Sequence, residues 1–259
     1  MRTANPALNE KTYYEEAYAS GRTGEHAMTI NGAVAKTGFL TAILLASAGV
    51  AWMACFPNGV GKGMSVRSDY AIGFVFGGLI GGLVAGLVMM FRPKSAPIAA
   101  PFYAVCEGLF LGALSGLISG RFQGIVLQAA LLTVGVLAVM LLAYGSGLVR
   151  ATEKFKMGVV AATGAVCMVY LATWILGMFG IGVPYIHAAG PIGIGFSLVV
   201  IVIAALNLVL DFDMIETGAR VGAPKYMEWY TAYGLLVTLV WLYIEFVRLL
   251  IKIRAMMDE

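Results

Sequence analysis

Charge is what this sequence has least of. Lysine, arginine, aspartate and glutamate make up 12% of its 259 residues, about half the ~25% of soluble domains. That shortage excludes a soluble fold with a solvated shell. The net charge of +3 is spread along the loops, so no nucleic-acid footprint is present and no nucleic-acid partner is expected. Histidine is scarcer still: His26 and His187 are the two in the chain, both outside the apolar runs. A Cys/His metal centre therefore has almost nothing to build with. Cys55, Cys106 and Cys167 are odd in number and lie in or beside apolar runs, which suits buried small hydrophobes better than disulfides or metal ligands. Residues 1–33 lack a continuous apolar stretch, so no signal peptide is expected.

Catalytic patterns are also missing. Gly145-Ser146-Gly147 lacks the spacing of a nucleophile elbow, and no histidine lies in any apolar run to act as its base. No glycine-flanked aspartate motif surrounds Asp211 or Glu245, and Lys252 lies past the last run, where a retinal protein would need a lysine at mid-span. An enzyme is not expected, nor is a resident cofactor.

Apolar sequence, by contrast, is abundant. Hydrophobic residues form 60% of the chain and mean hydropathy is +0.87, which reads as an all-α polytopic membrane protein. Seven runs are long enough to span: about Thr37–Phe56, Tyr70–Phe91, Ile98–Ile118, Gly124–Tyr144, Met157–Phe179, Pro191–Leu210 and Trp229–Ile251. A polar tail, 1–33, precedes a single membrane domain, 34–259. Counting Lys and Arg on alternate sides gives 11 on the side of the tail against 6 on the other. The positive-inside rule then puts the N-terminus in the cytoplasm and the C-terminus outside.

Ionisable residues inside these runs call for partners. In the last run Gly234, Thr238, Trp241, Glu245, Arg248 and Lys252 share one helical face. A central charge facing lipid costs ~2.5–3.5 kcal/mol on insertion scales, so that stripe must look into protein or water. In run six Gly193, Ser197, Ala204, Asn207 and Asp211 share a face. Asp213 points elsewhere, as an interfacial carboxylate closing the helix. Glu107 lies mid-way along run three, either internally hydrogen-bonded or part of a pathway. Glu245 is open to a local pair with Arg248 or to a meeting with Asp211. Two carboxylates in contact tend to share one proton near neutral pH, making a proton sensor or a cation site. Small residues recur at intervals of four: Gly73, Gly77 and Gly81 beside Gly78, Gly82 and Gly86, then Ala104, Gly108, Gly112 and Gly116. Such faces let helices approach closely in lipid, and could also let spans two and three slide.

The run LNLVLDFDMIETG followed by GLLVTLVWLYIEFVRLLIKI resembles the last two helices of the transmembrane Bax-inhibitor family. The wider chain, from NPALNEK through PFYAVCEGLFLGALSG to APKYMEWYTAYGLLVTLVWLY, is similar to that family's bacterial branch. The resemblance implies seven helices arranged as two three-helix layers around a central C-terminal helix, in a bacterial cytoplasmic (inner) membrane. It also implies a pH-sensitive calcium leak controlled by two facing acids and an arginine. Asp211 matches the acid of helix six, Glu245 stands where other members carry aspartate, and Arg92, followed here by Pro93, matches the arginine. On that basis Asp211 and Glu245 are the candidate pH sensor and calcium ligands, with Arg92 as a latch. Glu107, Asp213 and Asn207 are candidates for the ion path. The partners are then the bilayer, calcium and protons. The competing readings are a proton-coupled transporter of a small solute and a membrane scaffold whose charges are structural.

Overall fold

A computed structural model describes residues 27–55, 68–122, 124–180 and 190–257. Among these, seven helices are long and apolar enough to cross a membrane. They are α1 (Ile30–Cys55), α2 (Ser68–Phe91), α3 (Ala96–Arg121), α4 (Ile125–Gly145), α5 (Glu153–Met178), α6 (Pro191–Arg220) and α7 (Met227–Met257). A 3-10 turn, Pro93–Ser95, joins α2 to α3. The tail up to His26 and the loop carrying His187 lie outside the described residues.

Each expected run forms a helix, and the ends move for local reasons. Thr29 caps α1: its hydroxyl accepts the Gly32 N–H at 3.0 Å, so the helix starts at Ile30, ahead of the hydropathic rise at Thr37. Thr152 does the same for α5, accepting from the Phe155 N–H at 3.3 Å, with Glu153 favourably placed in the first turn. The largest difference is in α6. The expected end at Leu210, with Asp211 and Asp213 as terminal carboxylates, is corrected: the helix continues to Arg220. It stops where Gly222 takes φ +70°. There the Ala223 N–H bonds the Gly218 carbonyl at 3.0 Å and the Gly222 N–H bonds that of Ala219 at 3.3 Å. This is a Schellman closure, with Pro224 following.

The chain divides into two compact units. The first holds α1–α3 with Met214–Leu236, and the second holds Leu127–Asp213 with Val237–Glu259. In the first, α1 and α2 both pack on α3 through glycines. A Cβ at Gly108 would overlap Ser47 Oγ and the Leu44 carbonyl of α1, and one at Gly112 would overlap Ala48. A Cβ at Gly78 would come within 2.8 Å of the Phe110 nitrogen, and one at Gly81 within 2.7 Å of Cys106 Sγ. Gly73 and Gly77 face nothing within 4 Å. Only the later glycines of α2 therefore serve packing. In lipid, where burial of apolar surface drives little, this close approach supplies the dispersion contacts that hold helices together.

Burial separates the helices. More than half of the apolar stretch is inside for α3 and α7, 56% each, against 17% for α4 and α5. The strongly charged end of α7 thus belongs to one of the two best-covered helices, which is how a membrane protein can carry it.

Candidate functional site

The second unit gathers ionisable side chains along one line. Both polar stripes read from the sequence face inward: Ser197, Asn207, Asp211, Thr238, Glu245 and Lys252 are all buried, Asp211 and Glu245 at 1% exposure. Contacts between helices order them by level. Nearest the start of α6, Lys252 Nζ donates to the Gly193 carbonyl and to Ser197 Oγ, each at 2.9 Å. Next, Glu245 Oε1 accepts from Tyr170 Oη and from Arg248 Nη1, both at 2.9 Å. Arg248 also donates to the Tyr170 hydroxyl and stacks over its ring at 4.8 Å. Further along, Asn207 Nδ2 donates to Thr163 Oγ1 at 2.8 Å. Last, Lys156 pairs with Asp213 at 2.6 Å and with Glu153 at 3.7 Å.

From Gly193 to Asp213 is twenty residues of α6, about 30 Å of rise and the thickness of a bilayer core. Polar groups occupy that whole length. Four acids (Glu153, Asp211, Asp213, Glu245) stand with three cations (Lys156, Arg248, Lys252) along the file, one net negative charge when all are ionised. Glu245 keeps one oxygen, Oε2, buried without a hydrogen bond.

Asp211 and Glu245, expected to meet, lie in the same unit, where Glu245 bonds Tyr170 and Arg248. Lys252 reaches Ser197, which is fourteen residues from Asp211 on α6. Glu245 lies only seven residues from Lys252 on α7, which returns antiparallel after a short turn. Counted along the two helices, the Cα levels of Asp211 and Glu245 differ by about 10 Å of rise. The helical wheel fixes which face a residue takes. Its level across a hairpin depends on where the turn falls, here between Arg220 and Met227. Asp213 is a half-buried member of an ion pair and does not end the helix, which runs on to Arg220.

Arg92 lies in the first unit, exposed at the end of α2. Its carbonyl accepts from Ser95 N–H at 2.9 Å and Ser95 Oγ at 2.8 Å. Glu107 is also in the first unit, beside Tyr103. Sequence reasoning missed Tyr170 and Lys156 in the file, and a buried ion pair in the first unit. There Glu228, fully enclosed, pairs with Lys36 and accepts from Thr29 N–H at 3.0 Å and Thr29 Oγ1 at 3.1 Å. Acid at the start of α7 and base in α1 are visible in the sequence, but nothing in their spacing joins them.

Seven apolar helices with ionisable groups buried among them define a polytopic integral membrane protein. Residues 5–255 match the family model described as Bax inhibitor 1 like, and the chain belongs to that family. No curated protein and no solved structure matches it.

Proposed function

We propose that the protein is a non-enzymatic, pH-sensitive cation leak, with calcium as the permeant ion, whose gate is the Glu245–Arg248–Tyr170 cluster. The observation that carries this reading is the file of polar side chains running the length of a bilayer core along α6. Buried ionisable groups in spanning helices mark ion or proton paths. Carboxylates suit calcium because a hard cation takes oxygen ligands, which makes Asp211 and Glu245 the ligands met in passage. Asn207 and Asp213 stand along the same path. With the N-terminus in the cytoplasm of a bacterial inner membrane, the Asp213 end opens inward.

Ionised Glu245 holds Arg248 by a charge-assisted hydrogen bond, and the two charges cancel inside the file. Protonating Glu245 removes that hold. Arg248, whose side chain is already 33% exposed, is then free to swing out and the leak rises as pH falls. In this reading Arg248 takes the latch role that the family resemblance assigns to Arg92.

The test is calcium flux into dye-loaded liposomes across a pH series. Glu245→Gln should leak constitutively and lose most of its pH response, while Asp211→Asn should lower the rate. A Glu245→Gln protein with the wild-type rate and pH profile ends the proposal. Saturable uptake of a labelled solute driven by a pH step, without calcium flux, would replace it with a proton-coupled transporter.

A further inference from the structure

Among the described residues of the first unit, whose acids the leak does not use, Glu107 has no basic partner. Glu107 sits in mid-α3 with Tyr103 one turn before it, close enough for the two side chains to interact. The Tyr103 ring meets that of Tyr233, from the start of α7, edge-on with centroids 4.7 Å apart. Across from them α2 presents bare backbone. The Tyr233 hydroxyl lies 2.8 Å from where a Gly86 Cβ would stand, and Glu107 Oε1 lies 3.2 Å from that of Gly82. Gly82 and Gly86 are one helical turn apart, so the Glu107 carboxylate and the Tyr233 hydroxyl lie over a glycine floor, with the Tyr103 ring beside Gly82.

Glu107 Oε2 is buried and accepts no hydrogen bond, and no basic side chain pairs with Glu107 among the described residues. The other titratable groups facing it are Tyr103 and Cys106 on its own helix and Tyr233 on α7. None of them carries positive charge. A carboxylate in this setting requires one compensating charge. A proton on Oε2 would supply that charge, with the phenol oxygens as acceptors for the donor it creates. A cation needs only the lone pairs already there. One carboxylate balances a single charge, so a divalent ion would leave the second uncompensated.

We infer that Glu107, Tyr103 and Tyr233 form a binding site for one small monovalent cation, held in competition with a proton. The experiment is infrared spectroscopy of the full chain in nanodiscs, titrated with acid in choline chloride and again in sodium chloride. A protonated-carboxyl band absent from Glu107→Gln should appear on acidification. Sodium should move its midpoint to lower pH, by about one unit per tenfold of sodium above the binding constant. Tyr233→Phe should weaken the sodium effect about tenfold. Glu245→Gln should retain both band and shift, which separates this site from the leak. Should Glu107→Gln not accumulate, displacement of the band in Glu107→Asp identifies it. The inference is overturned if no band belongs to Glu107, if its midpoint is the same in sodium and choline, or if calcium displaces the proton as well as sodium does.

Discussion

The two units solve the problem of helix association in lipid by opposite means. The first removes side chains: Gly78, Gly81, Gly108 and Gly112 bring backbones together until no Cβ fits. The second adds side chains that bond across the gap: Lys156 to Asp213, Asn207 to Thr163, Tyr170 to Glu245 and Lys252 to Ser197. Contact through glycine is dense and tolerates nothing larger. Contact through polar pairs depends on the charge and hydrogen bonding of the side chains. The difference teaches how each seam is built, with close backbone approach in the first unit and the file of ionisable contacts in the second.

The most direct way to break this contrast is to fill the glycine seam. Gly112→Leu should abolish folded protein, a loss above about 4 kcal/mol, because its side chain would occupy the backbone of Ala48. Yield and melting temperature in detergent measure it. Next comes the ion pair of the first unit. Lys36→Met leaves the enclosed Glu228 carboxylate without its cation and should cost about 3 kcal/mol, read as a lower melting temperature. Glu228→Gln combined with it should recover part of that loss. The polar contacts of the second unit should matter less to stability. Asn207→Leu, which removes the bond to Thr163, should cost about 0.6 kcal/mol in a membrane setting. Smallest of all, Gly77→Ala should change stability by less than about 0.5 kcal/mol, since open space surrounds it. If Gly77→Ala and Gly112→Leu were equally harmful, the assignment of the seam to the later glycines would be wrong.

Much of the fold could be read from hydropathy because lipid demands long continuous apolar helices, and all seven runs are helices. The inward faces of α6 and α7 were equally legible, since helical period alone groups Asn207 with Asp211 and Thr238 with Glu245. Helix ends were less so. Hydropathy marks where lipid begins, while Thr29, Thr152 and Gly222 mark where helices begin and end, and those signals are short. The site suffered from the same cause. Shared faces say nothing of level, and counting from the Lys252–Ser197 contact sets the Cα atoms of Asp211 and Glu245 about two turns apart along the helices. Tyr170 was invisible because a lone tyrosine in an apolar run looks like any lipid-facing aromatic until its hydroxyl finds an acid.

One consequence follows from the length of α6. Thirty residues rise about 45 Å, whereas the hydrocarbon layer is about 30 Å thick. The stretch past Asp213, with Glu216 and Arg220, accounts for much of the surplus. Membranes of longer-chain lipid would draw those charges toward oil and so force the helix upright, while shorter-chain lipid would let it lean. Acyl-chain length is thus a dial on this protein, and the rate of the proposed leak compared across a lipid series would show how far it turns.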